Sequence, residues 1–252
     1  MYKRIVIKLS GEALANKTNE KNDINAMFHD ETINNIVTDI KKVLASGTEV
    51  SLAVGGGNIW RGRSADSKMD KYKADQIGML ATVMNGLYLA DVFRQNGVKA
   101  VVMTPFMVSS MTELYSKDAA VSHMENGKVL IFAGGLGHPF FSTDTIPALR
   151  AAELEADCVM FAKNVDGVYD KNPDTNKDAV RYKEITYRKI IKDNLVVNDL
   201  AAMILCENNN IPSLVFSLNY PNSIEIASQN NDKFYEFGTK VIFNPEEDYH
   251  VK

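Results

Sequence analysis

This sequence has few cysteines, no long apolar segment and no excess of basic charge. Its two cysteines, Cys158 and Cys206, lie far apart without a C-x-x-C or His-rich spacing, so we expect two buried thiols in a reducing compartment. The formal net charge of −4 leaves no global basic field to hold a nucleic acid or an anionic membrane surface. No run approaches the roughly 18 apolar residues of a membrane span, and the apolar run at the N-terminus is too short for a signal peptide. We therefore expect a cytoplasmic protein with neither a nucleic acid nor a membrane as partner.

The composition and the periodicity predict one large α/β domain. Of 252 residues, 45% are apolar and 24% are charged, which is ordinary for a globular protein with a sizeable core. Short β-branched runs alternate with longer helical patterns, which predicts a mostly parallel sheet covered by helices on both faces. The predicted strands are 4–9, 49–54, 98–103, 128–133, 157–163, 213–217 and 239–243, and the predicted helices are 31–46, starting near Asp30 as N-cap, 70–96, 143–156 and 198–210.

The first candidate site follows the first strand, where Lys8 is succeeded by Ser10 and Gly11. A cation and free backbone N–H groups would meet there at the carboxyl edge of the sheet, where open α/β sheets bind ligands. The alternative is a surface lysine before a turn.

A second candidate site follows the next strand, where Gly55, Gly56 and Gly57 stand together. Three glycines let bare N–H groups approach a phosphate, and Arg61 can add a planar charged fork for its oxygens. The alternative is a tight turn that needs positive φ, and Trp60 is interpreted as packing rather than as a stacking platform.

Two further loops follow predicted strands. The segment 133–144 is glycine-rich and ends with Ser142, Thr143 and Asp144 entering a helix, an arrangement that favours anions or else is a plain N-cap. In 162–173, Asn164, Asp166, Gly167 and Tyr169 have a spacing suited to line a purine and a ribose, although this loop alone is simply a turn. Four such loops at four strand ends favour one shared phosphate-binding crevice.

Other nucleotide-binding folds are excluded by missing motifs. The sequence has no G-x-x-x-x-G-K-[ST], no G-x-G-x-x-G after the first strand, and no H-R-D with D-F-G set.

Five segments together resemble the bacterial uridylate kinases of the amino-acid-kinase superfamily. They are KLSGEAL at 8–14, GGGNIWRG at 55–62, IGMLATVMNGL at 77–87, HPFFSTD at 138–144 and VDGVY at 165–169. The resemblance runs from about residue 3 to 243. GMLATVMN and PFFSTD separate uridylate kinases from the superfamily's aspartate, glutamate, acetylglutamate and carbamate kinases.

The resemblance implies a single α/β/α sandwich over 1–252 with an eight-stranded, mainly parallel sheet. The acceptor half would be roughly 1–156, the ATP half roughly 157–243, and 244–252 a tail. It also implies a homohexamer, magnesium-ATP as donor, UMP as acceptor in pyrimidine nucleotide biosynthesis, and UTP as feedback inhibitor.

Carried over position by position, the resemblance assigns three groups of residues. The catalytic group is Lys8, Arg61, Asp144 and Asp199. Asp199 could equally be a helix N-cap. The metal ligands stay unassigned. The ATP group is Lys8, Leu9, Ser10, Gly11, Gly57, Arg61, Asn164, Tyr169 and Asn172. The UMP group is Gly56, Asp75, Leu136, Gly137, His138, Pro139, Phe140, Phe141, Ser142 and Thr143.

Departures from the family pattern qualify these assignments. Leu136 and His138 stand where the family often has threonine and asparagine, and His138 is as readable as a hydrogen-bonding loop residue as a catalyst. Asn172 stands where an acidic residue is common, so one ribose contact is open. The stretch from Ala15 to Asn25 contains no glycine, which predicts weak or absent activation by GTP. The alternatives are a superfamily kinase that phosphorylates a carboxylate or a carbamate, and a non-catalytic nucleotide-binding relative.

Overall fold

A single mixed sheet organises the chain. The computed structural model describes residues 1–15, 27–60, 69–195 and 198–244, and these residues form a nine-stranded sheet with the order β4-β3-β5-β2-β1-β6-β8-β9-β7. The strands are β1 Arg4–Leu9, β2 Glu49–Val54, β3 Ala100–Thr104, β4 Glu113–Leu114, β5 Val129–Phe132, β6 Cys158–Lys163, β7 Glu184–Thr186, β8 Ser213–Ser217 and β9 Gly238–Ile242.

Among the described strands, every pairing is parallel except one. Strand β9 pairs antiparallel with β8 and parallel with β7, so β7 and β9 run opposite to the other seven strands. The predicted fold class, a mainly parallel sheet between helical layers, is confirmed. The described strands number nine rather than the eight implied by resemblance. Both strands missed from the periodicity, β4 and β7, are the short edge strands of the sheet, and two or three residues are too few to display an alternation.

The helices cover both faces of the sheet. They are α1 Gly11–Leu14, α2 Asp30–Ala45, α3 Lys71–Gln95, α4 Lys117–Glu125, α5 Thr145–Leu154, α6 Tyr187–Lys192, α7 Leu200–Asn208 and α8 Ser223–Ser228, with a short 3-10 helix at Asp232–Glu236. The long periodic patterns predicted α2, α3, α5 and α7. The predicted N-cap of α2 was wrong by one residue, because the His29 side chain accepts the hydrogen bond from the Thr32 N–H while Asp30 is already helical.

Alternation along β1 divides the core between the two faces. Ile5, Ile7 and Leu9 pack in the cluster beneath α2, α3 and α8, whereas Val6 packs with α5, α6 and α7 on the other face. Lys8 therefore shares the α5 face with Val6, because side chains two residues apart in a strand lie on one face.

Strand β1 is also where the chain order of the sheet reverses. The chain adds β2, β3 and β5 on one side of β1 and then crosses to add β6 and β8 on the other. Ligand crevices of open α/β sheets lie at such switch points, beyond the carboxyl ends of the strands. The division into an acceptor half and an ATP half stays a prediction. Among the described residues, no helix is long and apolar enough to cross a bilayer.

Candidate active site

A cavity of about 580 Å³ lies beyond the carboxyl ends of β1, β2 and β5. Three of the four candidate loops contribute to its wall, together with one face of α3. The lining residues are Lys8, Ser10, Gly11, Glu12, Gly55, Gly56, Gly57, Trp60, Ala74, Asp75, Gly78, Met79, Thr82, Gly135, His138, Pro139, Phe141, Ser142, Thr143 and Asp144. The sequence prediction that strand-end loops share one crevice holds for these three loops.

The glycines of this wall allow two loops to approach each other closely. A Cβ on Gly11 would lie 2.5 Å from the Gly57 backbone nitrogen, and a Cβ on Gly55 would lie 2.9 Å from the Gly11 nitrogen. None of the three has a positive φ, so a turn that needs the left-handed conformation does not explain them. Close approach of backbones does, and it leaves the floor of the cavity without side chains.

Asn85 fixes the glycine segment from the middle of α3. Its side chain is fully buried and donates to the Gly55 carbonyl at 2.6 Å, and it exchanges hydrogen bonds with the Asn58 side chain at 2.7 and 3.0 Å. A buried amide that satisfies both of its ends in this way orders the backbone that it binds.

Two lysines share one carboxylate at the end of the cavity. Lys8 Nζ lies 2.9 Å from Asp144 Oδ1, and Lys163 Nζ lies 3.4 Å from Asp144 Oδ2. The strand register explains the meeting, since Lys8 pairs with Phe161 and Lys163 follows two residues later on the same face of β6. Sequence reasoning missed Lys163.

Burial and charge act against each other in this triad. Burial alone would raise the pKa of Asp144, but the positive charges of Lys8 and Lys163 outweigh it and hold that pKa below its ordinary value. For Lys163, burial is the largest influence and, with repulsion from Lys8, lowers the pKa although Asp144 opposes the shift. Two cations therefore face one anion in a largely buried triad, which leaves a positive excess.

The β5–α5 loop (133–144) closes the opposite wall. Its glycines Gly134, Gly135 and Gly137 all have positive φ, and the Gly134 N–H donates to the Thr82 hydroxyl of α3 at 2.7 Å. The loop ends at Asp144, which is the N-cap residue of α5 but makes no side-chain capping bond. Its carboxylate is used for the lysines, so the plain N-cap interpretation does not account for it.

Asp199 lies close to this end of the cavity. Its Oδ2 accepts a hydrogen bond from the Thr145 hydroxyl at 2.8 Å, and Thr145 is the first residue of α5. Asp199 occupies the N-cap position of α7 without a side-chain capping bond. The carboxylate therefore faces the neighbourhood of Asp144 rather than its own helix.

The residues predicted for the nucleoside side lie away from this cavity, and two of their side chains make local hydrogen bonds. Tyr169 donates to Asp166 Oδ1 at 2.7 Å, and Asn172 Oδ1 accepts from the Asp174 N–H at 2.9 Å. Asn164 is exposed directly after β6. Of the segment 164–173, no residue lines the 580 Å³ cavity.

A few other predicted positions also lie off the cavity wall. Leu9 is buried beneath it in the sheet core, and Leu136, Gly137 and Phe140 belong to the β5–α5 loop without lining the cavity. Arg61 lies outside the described residues.

Two signals in the sequence could have identified the site residues that were not predicted. Gly78, Met79, Thr82 and Asn85 recur at helical spacing within the run 77–87, so its motif marked one face of α3 turned toward the site. Lys163 ends a predicted strand, as Lys8 nearly does, and two lysines at neighbouring strand ends were a usable sign.

The fit to a divalent cation can be tested on the carboxylates. Within the described part of the chain, no group of three or more His, Cys, Asp or Glu side chains is placed to hold a metal ion. Magnesium in nucleotide sites needs only one or two carboxylates, because phosphate oxygens and waters complete its shell. Asp144 has a lysine on each oxygen, whereas the recorded bond of Asp199 engages one oxygen. The donor set fits a cation that arrives with a nucleotide.

Comparison with known proteins agrees with this geometry. The sequence model of the amino acid kinase family matches residues 3–217. The chain is similar to the crystal structure of UMP kinase from Bacillus anthracis, at 35% identity with 96% of each chain covered and a TM-score of 0.87. It is also similar to UMP kinase from Ureaplasma parvum, at 36% identity over 96% of this chain and 99% of the other, with a TM-score of 0.85. Uridylate kinase from Archaeoglobus fulgidus shares the fold at 23% identity and a TM-score of 0.69. The chain belongs to the amino acid kinase family, within its UMP kinase group.

Proposed function

We propose that the chain is a uridylate kinase, which converts ATP and UMP into ADP and UDP. The observation that carries the proposal is that one cavity joins a glycine floor and the Lys8–Asp144 pair to a second wall formed by α3 and the β5–α5 loop. One end supplies positive charge for phosphates, and the other supplies a carboxylate, Asp75, suited to sugar hydroxyls. The similarity to UMP kinases at 35–36% identity supports the same assignment.

The reaction needs no general base. A UMP phosphate oxygen forms a bond to the γ-phosphorus of ATP, the bond from that phosphorus to the β–γ bridging oxygen breaks, and ADP leaves with the electron pair. The second pKa of a phosphate monoester is about 6, so the acceptor is largely dianionic at neutral pH and no proton has to be removed. Total charge is conserved. The difficulty is repulsion between two polyanions, so catalysis consists of positioning and charge neutralisation.

Lys8 is the cation best placed to act on the transferred group. It is 7% exposed, stands in the cavity wall and is held by Asp144 at 2.9 Å. A preorganised charge of this kind stabilises negative charge as it moves from the donor to the acceptor. Lys163 keeps the same carboxylate neutralised from the other side, so that Asp144 orients cations without repelling the incoming phosphates.

The bound cofactor would be Mg²⁺ with ATP, with Asp199 as the carboxylate that has capacity for it. When bound, it neutralises charge on the donor phosphates. Asp144 holds the two lysines in position through its ion pairs, and Thr145 orients Asp199 through its hydroxyl.

The remaining assignments of the ATP side rest on the family resemblance. They place Ser10, Gly11, Gly57 and Arg61 near the ATP phosphates, and Asn164, Tyr169 and Asn172 near the nucleoside. The segment 164–173 begins directly after Lys163, so the phosphate end and the proposed nucleoside end are joined by chain continuity.

Self-association and regulation form a further part of the proposal. Helix α3 carries an exposed apolar stripe at Ile77, Leu80 and Met84, which are 37%, 53% and 53% exposed at i, i+3, i+7 spacing. Such a stripe supports burial against another subunit, in keeping with a homohexamer. UTP inhibition would act through the UMP site itself. Weak GTP activation was predicted from the glycine-free stretch Ala15 to Asn25, of which residues 16–25 lie outside the described residues.

The test is a coupled assay of ADP release with UMP, CMP, dTMP, aspartate and carbamate as acceptors. We expect UMP to give the highest kcat/KM, by at least about 100-fold over the carboxylate and the carbamate, because these lack the sugar hydroxyls and the phosphate for which the two walls are built. Release of ADP with aspartate or carbamate at a comparable kcat/KM would assign the chain to another kinase of the superfamily. No release with any acceptor would indicate a nucleotide-binding relative without transfer.

A further inference from the structure

Phe140 has an unusual backbone conformation in the middle of the β5–α5 loop. Its φ is +72°, in the left-handed region where side chains with a Cβ are strained. The glycines Gly134, Gly135 and Gly137 of the same loop reach positive φ without that cost. The strain at Phe140 must be compensated by contacts around it.

Those contacts come from the first two turns of α3. The Phe140 N–H donates to Asp75 Oδ2 at 2.9 Å. The Phe140 ring is 65% exposed and stands 6.3 Å from the Tyr72 ring, with Lys71 Nζ 5.6 Å from its centre. We call Lys71, Tyr72 and Asp75 the α3 clamp. Of its three contacts, the charge-assisted hydrogen bond from a backbone N–H to a carboxylate is the strongest kind.

The α3 clamp holds Phe140, whose two neighbours in the chain line the cavity. Pro139 and Phe141 flank Phe140 on either side, and both are in the cavity wall, whereas Phe140 itself is not. The far end of the loop is fixed separately, through Asp144 and its two lysines. A change of φ at Phe140 would therefore move the wall on the proposed UMP side and leave the phosphate end in place.

We propose that Asp75 is a positioning residue for the β5–α5 loop as well as a contact for the acceptor. One oxygen, Oδ2, holds the Phe140 N–H and so maintains the left-handed turn. The other oxygen, Oδ1, has no hydrogen bond recorded among the described residues and belongs to a side chain that lines the cavity. The proposal rests on the proposed function, because the acceptor is taken to bind beside Asp75.

Two acceptor oxygens on one side chain distinguish a carboxylate at this position from an amide. An asparagine presents one oxygen and one NH₂ group. If its oxygen accepts the Phe140 N–H, its NH₂ faces the sugar hydroxyls and cannot accept from them. If the amide is turned round, the NH₂ meets the Phe140 N–H donor to donor. Asp75→Asn therefore cannot accept from both partners, as the carboxylate can; at best its NH₂ donates, without charge, to the sugar hydroxyls.

The decisive experiment is a double-mutant cycle between Asp75→Ala and Phe140→Gly, read as KM for UMP. Glycine adopts positive φ without strain, so the loop needs the clamp less in the Phe140→Gly background. We expect Asp75→Ala to raise KM for UMP by about 10-fold or more in the wild-type background, as for loss of a charged hydrogen bond, with kcat changed by less than about threefold. In the Phe140→Gly background we expect the increase to be smaller by about threefold or more. Asp91→Asn, an exposed carboxylate near the other end of α3, is the matched control and should leave KM unchanged.

Equal KM ratios in the two backgrounds would overturn the proposal, because Asp75 would then act on the ligand alone. Phe140→Asn provides a second cycle, since asparagine tolerates the left-handed conformation better than other side chains with a Cβ. If Asp75→Ala does not fold, Asp75→Leu, which also has no acceptor for the Phe140 N–H, takes its place in both cycles.

A measurement without substrate separates this proposal from the proposed function. We expect the Phe140 amide of the ligand-free protein to be protected from hydrogen exchange in the wild type, and at least about 10-fold less protected in Asp75→Ala. An unprotected Phe140 amide in the wild type would refute the clamp even if UMP is the acceptor. Protection at Phe140 without any turnover of UMP would keep the clamp and refute the proposed function.

Discussion

The two ends of the proposed ATP site are held in different ways. At the phosphate end, which comprises Lys8, Gly11, Gly55–57, Asp144 and Lys163, the contacts join segments far apart in the chain. At the nucleoside end, 164–173, the recorded side-chain bonds of Tyr169 and Asn172 reach only three and two residues along the chain. The first is built by contacts across the whole sheet. In the second, the Tyr169 and Asn172 side chains make local bonds only, while the backbone of the segment is tied to Arg181 and Thr239.

The difference follows from what each end has to do. Charges that stabilise a transition state must be fixed before the reaction, because reorganising them at that moment costs free energy. Contacts to a base or a ribose contribute to binding in the ground state and the transition state alike, and a turn on the surface can provide them. We therefore predict that substitutions at the phosphate end chiefly lower kcat. Substitutions at the nucleoside end should chiefly raise KM for ATP, and by a smaller factor.

Lys8→Ala should produce the largest effect. We expect kcat to fall by about 100-fold or more with a smaller change in KM for UMP, by analogy with removal of one preorganised electrostatic donor. Initial rates at saturating ATP and UMP measure this. A variant within threefold of the wild type would remove Lys8 from the mechanism and the phosphate end from its central place.

Gly11→Ala should come next, because its Cβ would lie 2.5 Å from the Gly57 nitrogen and would force the two loops apart. We expect kcat to fall by about 10-fold or more, since displacements of about 1 Å in a site can cost up to about 100-fold. Gly127→Ala is the control: it strains a turn with φ +68° in open space, so it should lower the melting temperature without changing kcat. If both variants lose activity in proportion to stability, close approach of the loops is not what matters.

Lys163 should affect the pH dependence of kcat. Its pKa is lowered chiefly by burial, so its proton is lost at a lower pH than that of an ordinary lysine. Activity that needs the charge is present below this pKa and lost as pH rises through it. We expect kcat of the wild type to fall on the alkaline side, and we expect this fall to move to higher pH in Lys163→Arg, because arginine keeps its charge. Superimposable profiles of the two proteins would show that Lys163 has no part in the reaction.

Asn172→Ala should have the smallest effect. It removes the acceptor for the Asp174 N–H, so we expect KM for ATP to rise by less than about fivefold, the range of one neutral hydrogen bond, with kcat unchanged. Asn172→Asp retains a turn acceptor and should lie closer to the wild type. A loss of kcat on the scale of Lys8→Ala would mean that the nucleoside end is as tightly coupled to the chemistry as the phosphate end.

The same contrast explains how much could be predicted from sequence. Hydrophobic periodicity predicted seven of the nine described strands, because central strands buried on both faces read as apolar runs. The edge strands β4 and β7 were missed, as was Lys163, whose partner Asp144 is brought to it by the pairing of β1 with β6 and by the start of α5. Glycine-rich loops marked the cavity correctly, for two different reasons. Gly11 and Gly55 allow close approach of two backbones, whereas Gly134, Gly135 and Gly137 have the positive φ of a turn. A local sequence pattern does not contain the pairing of strands that are far apart in the chain.

The path of the γ-phosphoryl group decides whether transfer within the cavity is direct. In a single-turnover, rapid-quench experiment, the protein is mixed with UMP and ATP labelled in the γ-phosphoryl group, and the label is located in time. We expect label to pass directly from ATP to the β-phosphate of UDP, with none found on the protein, and we expect Lys8→Ala to slow this step by about 100-fold or more. Label on the protein before it reaches UDP, or label released as inorganic phosphate in the presence of UMP, would contradict direct transfer within this cavity.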